Sequence, residues 1–341
     1  NFGSAAAALS LPTFALLYGG AEGWRAAITL TGIIAIIYAG VFYKFARNTP
    51  EGATYFKPKK AGGLEVSTKG DLIFCLIMQA PLVLTLALLT WKLGSANLQI
   101  LSGLTEVIIY VLLAALYVYN ASKIYAVNKP MLETPVPELQ RYKFKQVAVL
   151  SLAYAASFGG EISVISMLPL FFMDTFALSP ITAGLFAAGF AFMNIVSRPA
   201  GGWMSDKLGR KRILVILFVG VTLGYLGLSQ ITSGWMLGAA LAMTMVCACF
   251  EQAAAGAVFG IVPLVKRRLT GQIAGMVGAY GNVGGVIFLT IYSFASAEVF
   301  FLSIAATAAL TFVTIVLFFE EPKGHTAEVL PDGTVKLIEV S

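Results

Sequence analysis

The sequence predicts an all-α membrane protein, a bundle of helices that cross the bilayer. Hydrophobic residues make up 58% of the 341 residues and only 12% are charged, whereas soluble domains carry about 25% charged residues. Mean hydropathy is +0.83. The chain divides into apolar runs of about 20 residues, the length of a helix that spans a bilayer, and its basic residues lie between alternate runs. These observations exclude a soluble domain.

Ten apolar runs predict ten membrane helices. They lie near 1–19, 24–43, 72–91, 100–120, 147–173, 181–203, 213–232, 235–263, 272–296 and 298–319. No initiator Met opens the chain, and its first residues already belong to an apolar run. We therefore interpret it as a fragment that lacks an N-terminal part, with the first helix cut short.

The basic residues indicate the orientation of these helices. Of the 23 Lys and Arg residues, all but Arg25, Lys92 and Arg198 lie in the C-terminal tail or in four segments on the same side of the bundle. An excess of Lys and Arg marks the cytoplasmic side of a membrane. We expect a cytoplasmic C-terminus and a location in the cell membrane (plasma or inner). The net charge of +6 thus requires no nucleic acid as a partner.

The segment GGWMSDKLGRKR, between the sixth and seventh runs, carries an ordered motif. Gly202, Asp206, Gly209, Arg210 and Lys211 resemble the G-x-x-x-D-[RK]-x-G-R-[KR] signature of the major facilitator superfamily. Glycines let helix ends approach closely, and an aspartate among basic residues forms a charge-assisted contact that can break and reform. We interpret the motif as a conformational latch. A positively charged loop with an isolated acid is the alternative, and it leaves the spacing unexplained.

A second unusual segment, GQIAGMVGAYGNVGG, lies inside the ninth run. Gly271, Gly275, Gly278, Asn282 and Gly285 are spaced by four, three, four and three residues, so they share one face of a helix. We expect this face to pack closely on a neighbouring helix and the Asn282 amide to point into the bundle. Two interpretations are open: tight packing with one hydrogen bond between helices, or an amide that binds a polar substrate.

The first residues of the chain, NFGS, have the same pattern as NVGG within that run. Asn1 corresponds to Asn282, and Gly3 corresponds to Gly284. Gly281, a further glycine of this segment, directly precedes Asn282. Many transporters consist of two repeated halves with the substrate site between them. The repeat predicts that Asn1 and Asn282 face one central cavity, although a match of four residues also arises by chance.

The longer segment FGIVPLVKRRLTGQIAGMVGAYGNVGGV resembles the nitrate signature of the nitrate/nitrite porters, a family within the major facilitator superfamily. NFGS is similar to the end of the equivalent signature in the first half of that fold. The resemblance covers nearly the whole chain and is closest to the plant- and cyanobacterium-type permeases. It implies a major facilitator bundle that starts inside the fifth helix and ends with the twelfth. It also implies transport of nitrate or nitrite by alternating access, in nitrate assimilation.

The resemblance divides the chain into segments. Residues 1–45 are the end of the N-terminal half, with helices five and six. Residues 147–320 are the six-helix C-terminal half, and residues 321–341 are a cytoplasmic tail. Between the halves, residues 46–146 form polar linkers around an inserted helical hairpin at 72–120. This hairpin departs from the twelve-helix pattern of the superfamily.

Arg198 lies inside the sixth run, on the same helix face as Asn194. An arginine in hydrocarbon costs at least ~2.5 kcal/mol, and its planar set of donors suits a flat oxyanion. The alternatives are an arginine that reaches the membrane surface or one that pairs with an acid. The resemblance implies anion binding, because the family holds its anion between two arginines. One matches Arg198, and the other belongs to the second helix, outside this chain.

Four more residues of the fifth and eighth runs are candidates. The resemblance implies that Tyr154 and Phe158 are the aromatic pair that lines the anion site, although on their own they would indicate ordinary packing. Glu161 lies on the same helix face, and Glu251 lies in a later run. A buried carboxylate can carry a proton, so both are candidates for proton coupling. A structural pair, such as Glu161 with Arg198, is the alternative, and exchange of nitrate for nitrite needs neither carboxylate.

Two other classes of function also fit the sequence. One is a facilitator of another small anion or solute, and the other is a membrane sensor that binds nitrate without transport. The sequence contains no recognisable nucleophile motif, phosphate-binding loop or metal-ligand set. We therefore expect no enzyme activity and no cofactor. The expected partners are a small anion, protons and the lipid bilayer, and the expected state is a monomer.

Overall fold

The computed structural model describes residues 2–19, 23–47, 63–95, 98–134, 136–137, 141–322, 324–329 and 335–340. Their α-helices, in chain order, are α1 (Phe2–Gly19), α2 (Gly23–Phe45), α3 (Lys69–Ile77), α4 (Ala80–Gly94), α5 (Gly103–Glu133), α6 (Phe144–Phe176), α7 (Pro180–Leu208), α8 (Arg210–Ser229), α9 (Leu237–Val265), α10 (Thr270–Tyr292) and α11 (Ala297–Phe318). A short 3₁₀ turn, Arg267–Leu269, leads into α10.

The predicted fold class, an all-α membrane protein, is confirmed. Within the described residues, nine helical segments are long and apolar enough to cross a membrane, and α3 with α4 counts as one of them. The 18-residue α1 corresponds to the first predicted helix. Most helices begin and end within a few residues of the apolar runs that predict them. α5 continues past residue 120 to Glu133, because its polar end still has a buried side, with Ile124 and Asn128.

The bundle of α6 to α11 contains most of the protein core, and its closest helix pairs are α6–α10, α7–α9, α8–α11 and α8–α9. Glycines make the closest approaches possible. A side chain at Gly201 of α7 would overlap the main chain of Ala253 in α9, and one at Gly256 of α9 would overlap the main chain of Arg198. α7 and α9 therefore meet backbone to backbone beside Arg198. α1 packs on the same α7.

The region of the predicted hairpin, 72–120, contains α3, α4 and α5, which together run from Lys69 to Glu133. Its first arm is interrupted between α3 and α4, since Pro81 in the first turn of α4 has no amide proton for the carbonyl of Ile77. The hairpin packs against α6 and α10 of the C-terminal bundle. It is therefore attached to one side of that bundle along two of its helices.

A small antiparallel β-hairpin follows α11, where the sequence predicts only a polar tail. It consists of β1 (Gly324–Val329) and β2 (Val335–Val340), with Gly324 opposite Val340. A hydropathy window suited to helices of about 20 residues does not detect strands of six, which explains the omission.

Candidate anion-binding site

Arg198 lies at the centre of the candidate site, between α7 and α6. It is ten residues from the end of α7, which is about 15 Å along the helix axis. Its Nη2 donates to the Tyr154 hydroxyl at 2.6 Å, and its Nη1 lies 3.5 Å from the Glu161 Oε2. Only 15% of its side chain is exposed. Arg198 therefore reaches into the bundle, and pairing with an acid, one of the predicted alternatives, is present.

Aromatic rings form one wall of the site. Tyr154 and Phe158 stack with their centroids 4.8 Å apart and their planes 10° apart. The Arg198 Cζ lies 5.2 Å from the Phe158 ring centroid and 5.9 Å from that of Tyr154, within the range of a cation–π interaction. Phe259 of α9 also contacts Tyr154, with the ring centroids 4.6 Å apart. No sequence pattern points to Phe259, because its role depends on a contact between distant helices.

The glycines of α10 determine how closely α10 approaches these rings. A Cβ at Gly281 would lie 2.7 Å from Phe158 Cδ1 and 2.8 Å from Tyr154 Cδ1, which no real side chain tolerates. A Cβ at Gly284 would overlap the main chain of Ala155. Both predicted residues are therefore next to the aromatic wall, as backbone in direct contact with α6. These glycines allow α10 to approach α6 closely, and they bring no polar side chain to the site.

The expectation that the whole stripe of Asn282 packs closely on a neighbouring helix is wrong, whereas the role of Asn282 in substrate binding stays a prediction. Asn282 is exposed, and its amide donates to the Gly278 carbonyl of its own helix at 3.2 Å. A Cβ added at Gly271 or Gly275 of the same stripe would have no atoms within 4 Å. The closest contacts with α6 are made by Gly281 and Gly284, outside the predicted stripe, and Gly285 is the member of the stripe that also lies against α6. Asn1, the proposed counterpart of Asn282, lies outside the described residues.

Two carboxylates, Glu161 and Glu251, are buried inside the bundle. Glu161 accepts a hydrogen bond from the Asn194 amide, and the fully buried Glu251 accepts one from the Tyr225 hydroxyl. A Cβ at Gly160 would overlap the Glu251 carboxylate, so this glycine makes room for Glu251 next to Glu161. Within the described part of the chain, the Glu251 Oε2 has no hydrogen-bond partner. The carboxylates thus differ: Glu161 faces the guanidinium, whereas Glu251 pairs with a tyrosine.

The predicted latch lies where α7 ends and α8 begins. Gly209 has a φ of 98°, which suits glycine and allows the sharp turn between the helices. The Asp206 Oδ1 lies 3.4 Å from the Arg210 Nη2. The Arg210 amide donates to the Glu321 Oε1 at 2.5 Å, and the Lys211 amide lies 3.4 Å from the same oxygen. A carboxylate at the first turn of α8 is favoured by the helix dipole, so this turn is bound to the segment after α11.

The neighbouring Glu320 connects the same segment to the start of α6. Its carboxylate lies 2.6 Å from the Lys143 Nζ and 2.5 Å from the Lys145 Nζ. Hydrogen bonds from these two ammonium groups lower the pKa of Glu320 below its usual value. Glu320 and Glu321 together therefore hold α6, α8 and α11 at one end of the bundle.

Comparison with known proteins extends these observations. The Major Facilitator Superfamily model matches residues 150–338. The nitrate/nitrite transporter NrtP of Picosynechococcus sp. is 45% identical in an alignment over 325 residues, which covers 89% of this chain and 60% of that protein. The nitrate/nitrite transporter NrtP of Nostoc punctiforme is 41% identical over 334 residues, 96% of this chain and 67% of that protein. The nitrite extrusion protein of Bacillus subtilis is 32% identical over 185 residues, 52% of this chain and 46% of that protein.

The chain thus spans between 60% and 67% of the length of the two NrtP relatives. The superfamily match covers the helices that carry Arg198, the latch and both carboxylates. Identity above 40% over most of the chain confirms the predicted resemblance. The chain belongs to the nitrate/nitrite porter family of the major facilitator superfamily.

Proposed function

We propose that the full protein carries nitrate or nitrite across the membrane by alternating access, with the anion bound to Arg198. The observation that supports this most is a guanidinium deep in an apolar bundle, between Tyr154, Phe158 and Glu161. The names of the two NrtP relatives, nitrate/nitrite transporters, agree with the proposal. Transport, and not catalysis, is the activity that this arrangement suits.

The chemistry of the site fits a small flat oxyanion. A guanidinium offers parallel N–H donors to two oxygens at once. The Tyr154 hydroxyl accepts its hydrogen bond from Arg198, so its own proton is available to an anion oxygen. Phe158 offers a ring face, and Gly281 and Gly284 let α10 close the site. Asn282 contributes an amide from an exposed helix face that we assign to a cavity between the two halves, and the sequence repeat assigns the amide of Asn1 to the same cavity.

The negative charge of nitrate determines whether its uptake must be coupled to other ions. A membrane potential that is negative inside opposes anion entry by ~2.3 kcal/mol per charge per 100 mV. Uptake therefore needs coupled cations or exchange for another anion. Arg198 cannot neutralise Glu161 and a bound anion together, so we propose that Glu161 takes up a proton when the anion binds. Nitrate/nitrite exchange is the second candidate, and the name of the Bacillus relative, a nitrite extrusion protein, favours it.

Orientation and conformational change follow from the polar ends of the bundle. We assign the end with Asp206, Arg210, Glu320 and Glu321 to the cytoplasm, since most basic residues are on that side. The C-terminus is then cytoplasmic, and the membrane is the plasma or inner membrane. The contact between Asp206 and Arg210 acts as the latch of the inward-closed state, and the transporter works as a monomer.

Reconstitution of the purified full-length protein tests this proposal. Vesicles should take up labelled nitrate saturably, unlabelled nitrite should compete, and acid outside should accelerate uptake. Binding of nitrate without uptake would contradict transport and support a sensor. Uptake of another anion or solute that nitrate does not inhibit would contradict the proposed substrate. Uptake that needs internal nitrite and ignores the pH gradient would favour exchange over symport.

A further inference from the structure

The inserted hairpin contacts α10 at three levels. We use the term insert for α3, α4, α5 and the described residues 63–68 that precede them. At one end of α10, Glu65 of the insert forms an ion pair with Arg268, and the Arg268 Nη1 lies 3.3 Å from the Glu65 Oε1. In the middle, the Tyr280 hydroxyl donates to the Met78 carbonyl at 2.8 Å. At the other end, Lys92 donates to the Ser293 hydroxyl.

The contacts at both ends are supported by further interactions. Asn128 of α5 is 2% exposed and holds residues 63–68 in place, because it accepts from the Val66 amide at 2.8 Å and donates to the Leu64 carbonyl at 2.9 Å. At the opposite end, the Lys92 Nζ lies 3.9 Å from the centroid of the Phe294 ring, which also packs on Trp91. The insert is therefore fixed to the whole length of α10 and not to one point.

The central contact depends on the interruption between α3 and α4. In an unbroken helix the Met78 carbonyl would accept from the amide of Leu82, four residues later. Pro81 interrupts the helix here, and the Met78 carbonyl accepts the buried Tyr280 hydroxyl. A buried carbonyl in a membrane needs such a donor, since no water replaces it. The insert thus presents one specific acceptor to α10.

Tyr280 precedes Gly281, whose backbone packs directly on Tyr154 and Phe158. We infer that the insert is part of the transport machinery, and that Tyr280, through Met78, positions α10 so that Gly281 fits against the aromatic wall of the anion site. Tyr280 is a positioning residue, because it acts on the anion through Gly281 and Tyr154. The inference rests on the proposed function, in that the site it adjusts is the nitrate site.

The chain offers a matched pair of substitutions. Tyr280→Phe removes the hydroxyl that joins α10 to the Met78 carbonyl. Tyr117→Phe removes a similar hydroxyl, which donates to the Leu76 carbonyl at 3.3 Å, two residues from Met78 but entirely within the insert. Both variants keep the ring and remove one hydrogen bond near the same interruption. Only the first bond joins the insert to α10.

The first measurement is nitrate affinity of the purified full-length protein, by calorimetric titration. Loss of one neutral hydrogen bond at α10 should raise the nitrate Kd about three- to tenfold in Tyr280→Phe. Tyr117→Phe should bind nitrate as the wild type does, even if its melting temperature falls by a similar amount. An unchanged Kd in Tyr280→Phe, or the same change in both variants, would overturn the inference.

The second measurement needs no anion. A Cβ at Gly285 of α10 would lie 4.0 Å from the Ile162 Cβ of α6, a separation that a disulfide can bridge. In the double variant Ile162→Cys and Gly285→Cys, oxidation should join α6 and α10. Added Tyr280→Phe should slow this cross-linking several-fold, whereas added Tyr117→Phe should not.

The two measurements separate the inference from the proposed function. If the wild type binds neither nitrate nor nitrite, the proposed function fails, and the cross-linking rate still decides whether the insert positions α10. Equal cross-linking in all three backgrounds overturns the inference. Slower cross-linking with an unchanged nitrate Kd also overturns it, because α10 would then move without effect on the site.

Discussion

In the proposed anion site, the Arg198 guanidinium would face two negative groups, the Glu161 carboxylate and the bound anion. Glu161 lies 3.5 Å from Arg198, and Asn194 holds its other oxygen. A bound anion beside the same arginine would repel the Glu161 carboxylate strongly, because charges in the interior are poorly screened. Protonation of Glu161 removes this repulsion. At the scale of residues, the proposed site would therefore link anion binding to proton binding through one pair of side chains, Arg198 and Glu161.

Glu161→Gln should uncouple nitrate uptake from the pH gradient. The amide keeps the shape and the contact with Asn194 but carries no charge, so nitrate binds without an added proton. Uptake driven by a pH gradient should be lost, while nitrate/nitrite counterflow in vesicles should persist. Glu251→Gln is the matched control, because Glu251 pairs with Tyr225. Full pH-driven accumulation in Glu161→Gln would assign Glu161 to structure.

Helices α6 and α10 meet through glycines, and this contact sets the width of the site. A Cβ at Gly159 would lie 2.8 Å from the Gly284 Cα, and a Cβ at Gly281 would lie 2.8 Å from Tyr154 Cδ1 and 2.7 Å from Phe158 Cδ1. Neither helix can move sideways without losing these contacts, since packed interfaces have no spare volume. At the scale of elements, the glycine-rich signature therefore acts through one packed face, and Asn282 belongs to another.

Gly281→Ala should weaken nitrate binding about tenfold. The added methyl forces the Tyr154 and Phe158 rings away, and overpacking of this kind costs about 1–3 kcal/mol. Gly275→Ala, on the same helix, is the control, since a Cβ there meets no atom within 4 Å. Titration of nitrate on both purified variants distinguishes them. Equal affinities in the two would mean that the α6–α10 contact does not shape the site.

The turn between α7 and α8 should affect transport more than binding. Asp206→Asn removes the charge that faces Arg210 at 3.4 Å, while Arg198, the proposed anion ligand, lies eight residues earlier on α7. We expect slower uptake with a nitrate Kd within about twofold of the wild type, because the latch biases the conformational change only. Uptake and titration on the same preparation test this. An uptake rate equal to that of the wild type would exclude the latch.

Whole-molecule stability depends on pH through the segment that follows α11. Lys143 and Lys145 lower the pKa of Glu320 in the folded state. The ionised Glu320 therefore adds to the free energy of unfolding at pH values above its pKa in the unfolded chain, about 4.3. This stabilisation is lost as the pH falls through the lower pKa of Glu320 in the folded state. Glu320→Gln should therefore lower the melting temperature slightly at pH 7, since an exposed pair contributes at most about 1 kcal/mol. If the melting temperature of Glu320→Gln stays below that of the wild type in strong acid, lost packing and not lost charge is the cause.

Much of the whole molecule could be predicted from the sequence, because hydropathy and charge are local. Membrane helices follow from apolar length, and Arg198 and Glu161 are conspicuous as charges in apolar runs. Contacts between distant helices leave no such signal. The helical spacing placed Asn282 with Gly278 correctly, but it could not say which side of α10 meets α6. For the same reason Phe259 and Tyr225 were missed.

The central claim is that the Arg198 guanidinium binds nitrate, and Arg198→Lys in the full-length protein tests it most directly. Lysine keeps the charge but offers a hydrated point charge in place of two parallel donors. Loss of one charge-assisted hydrogen bond should cost about 1.5–3 kcal/mol, roughly 10- to 150-fold in affinity. Calorimetric titration of nitrate on the purified variant should show this loss. Affinity close to that of the wild type would contradict the account and remove Arg198 from the site.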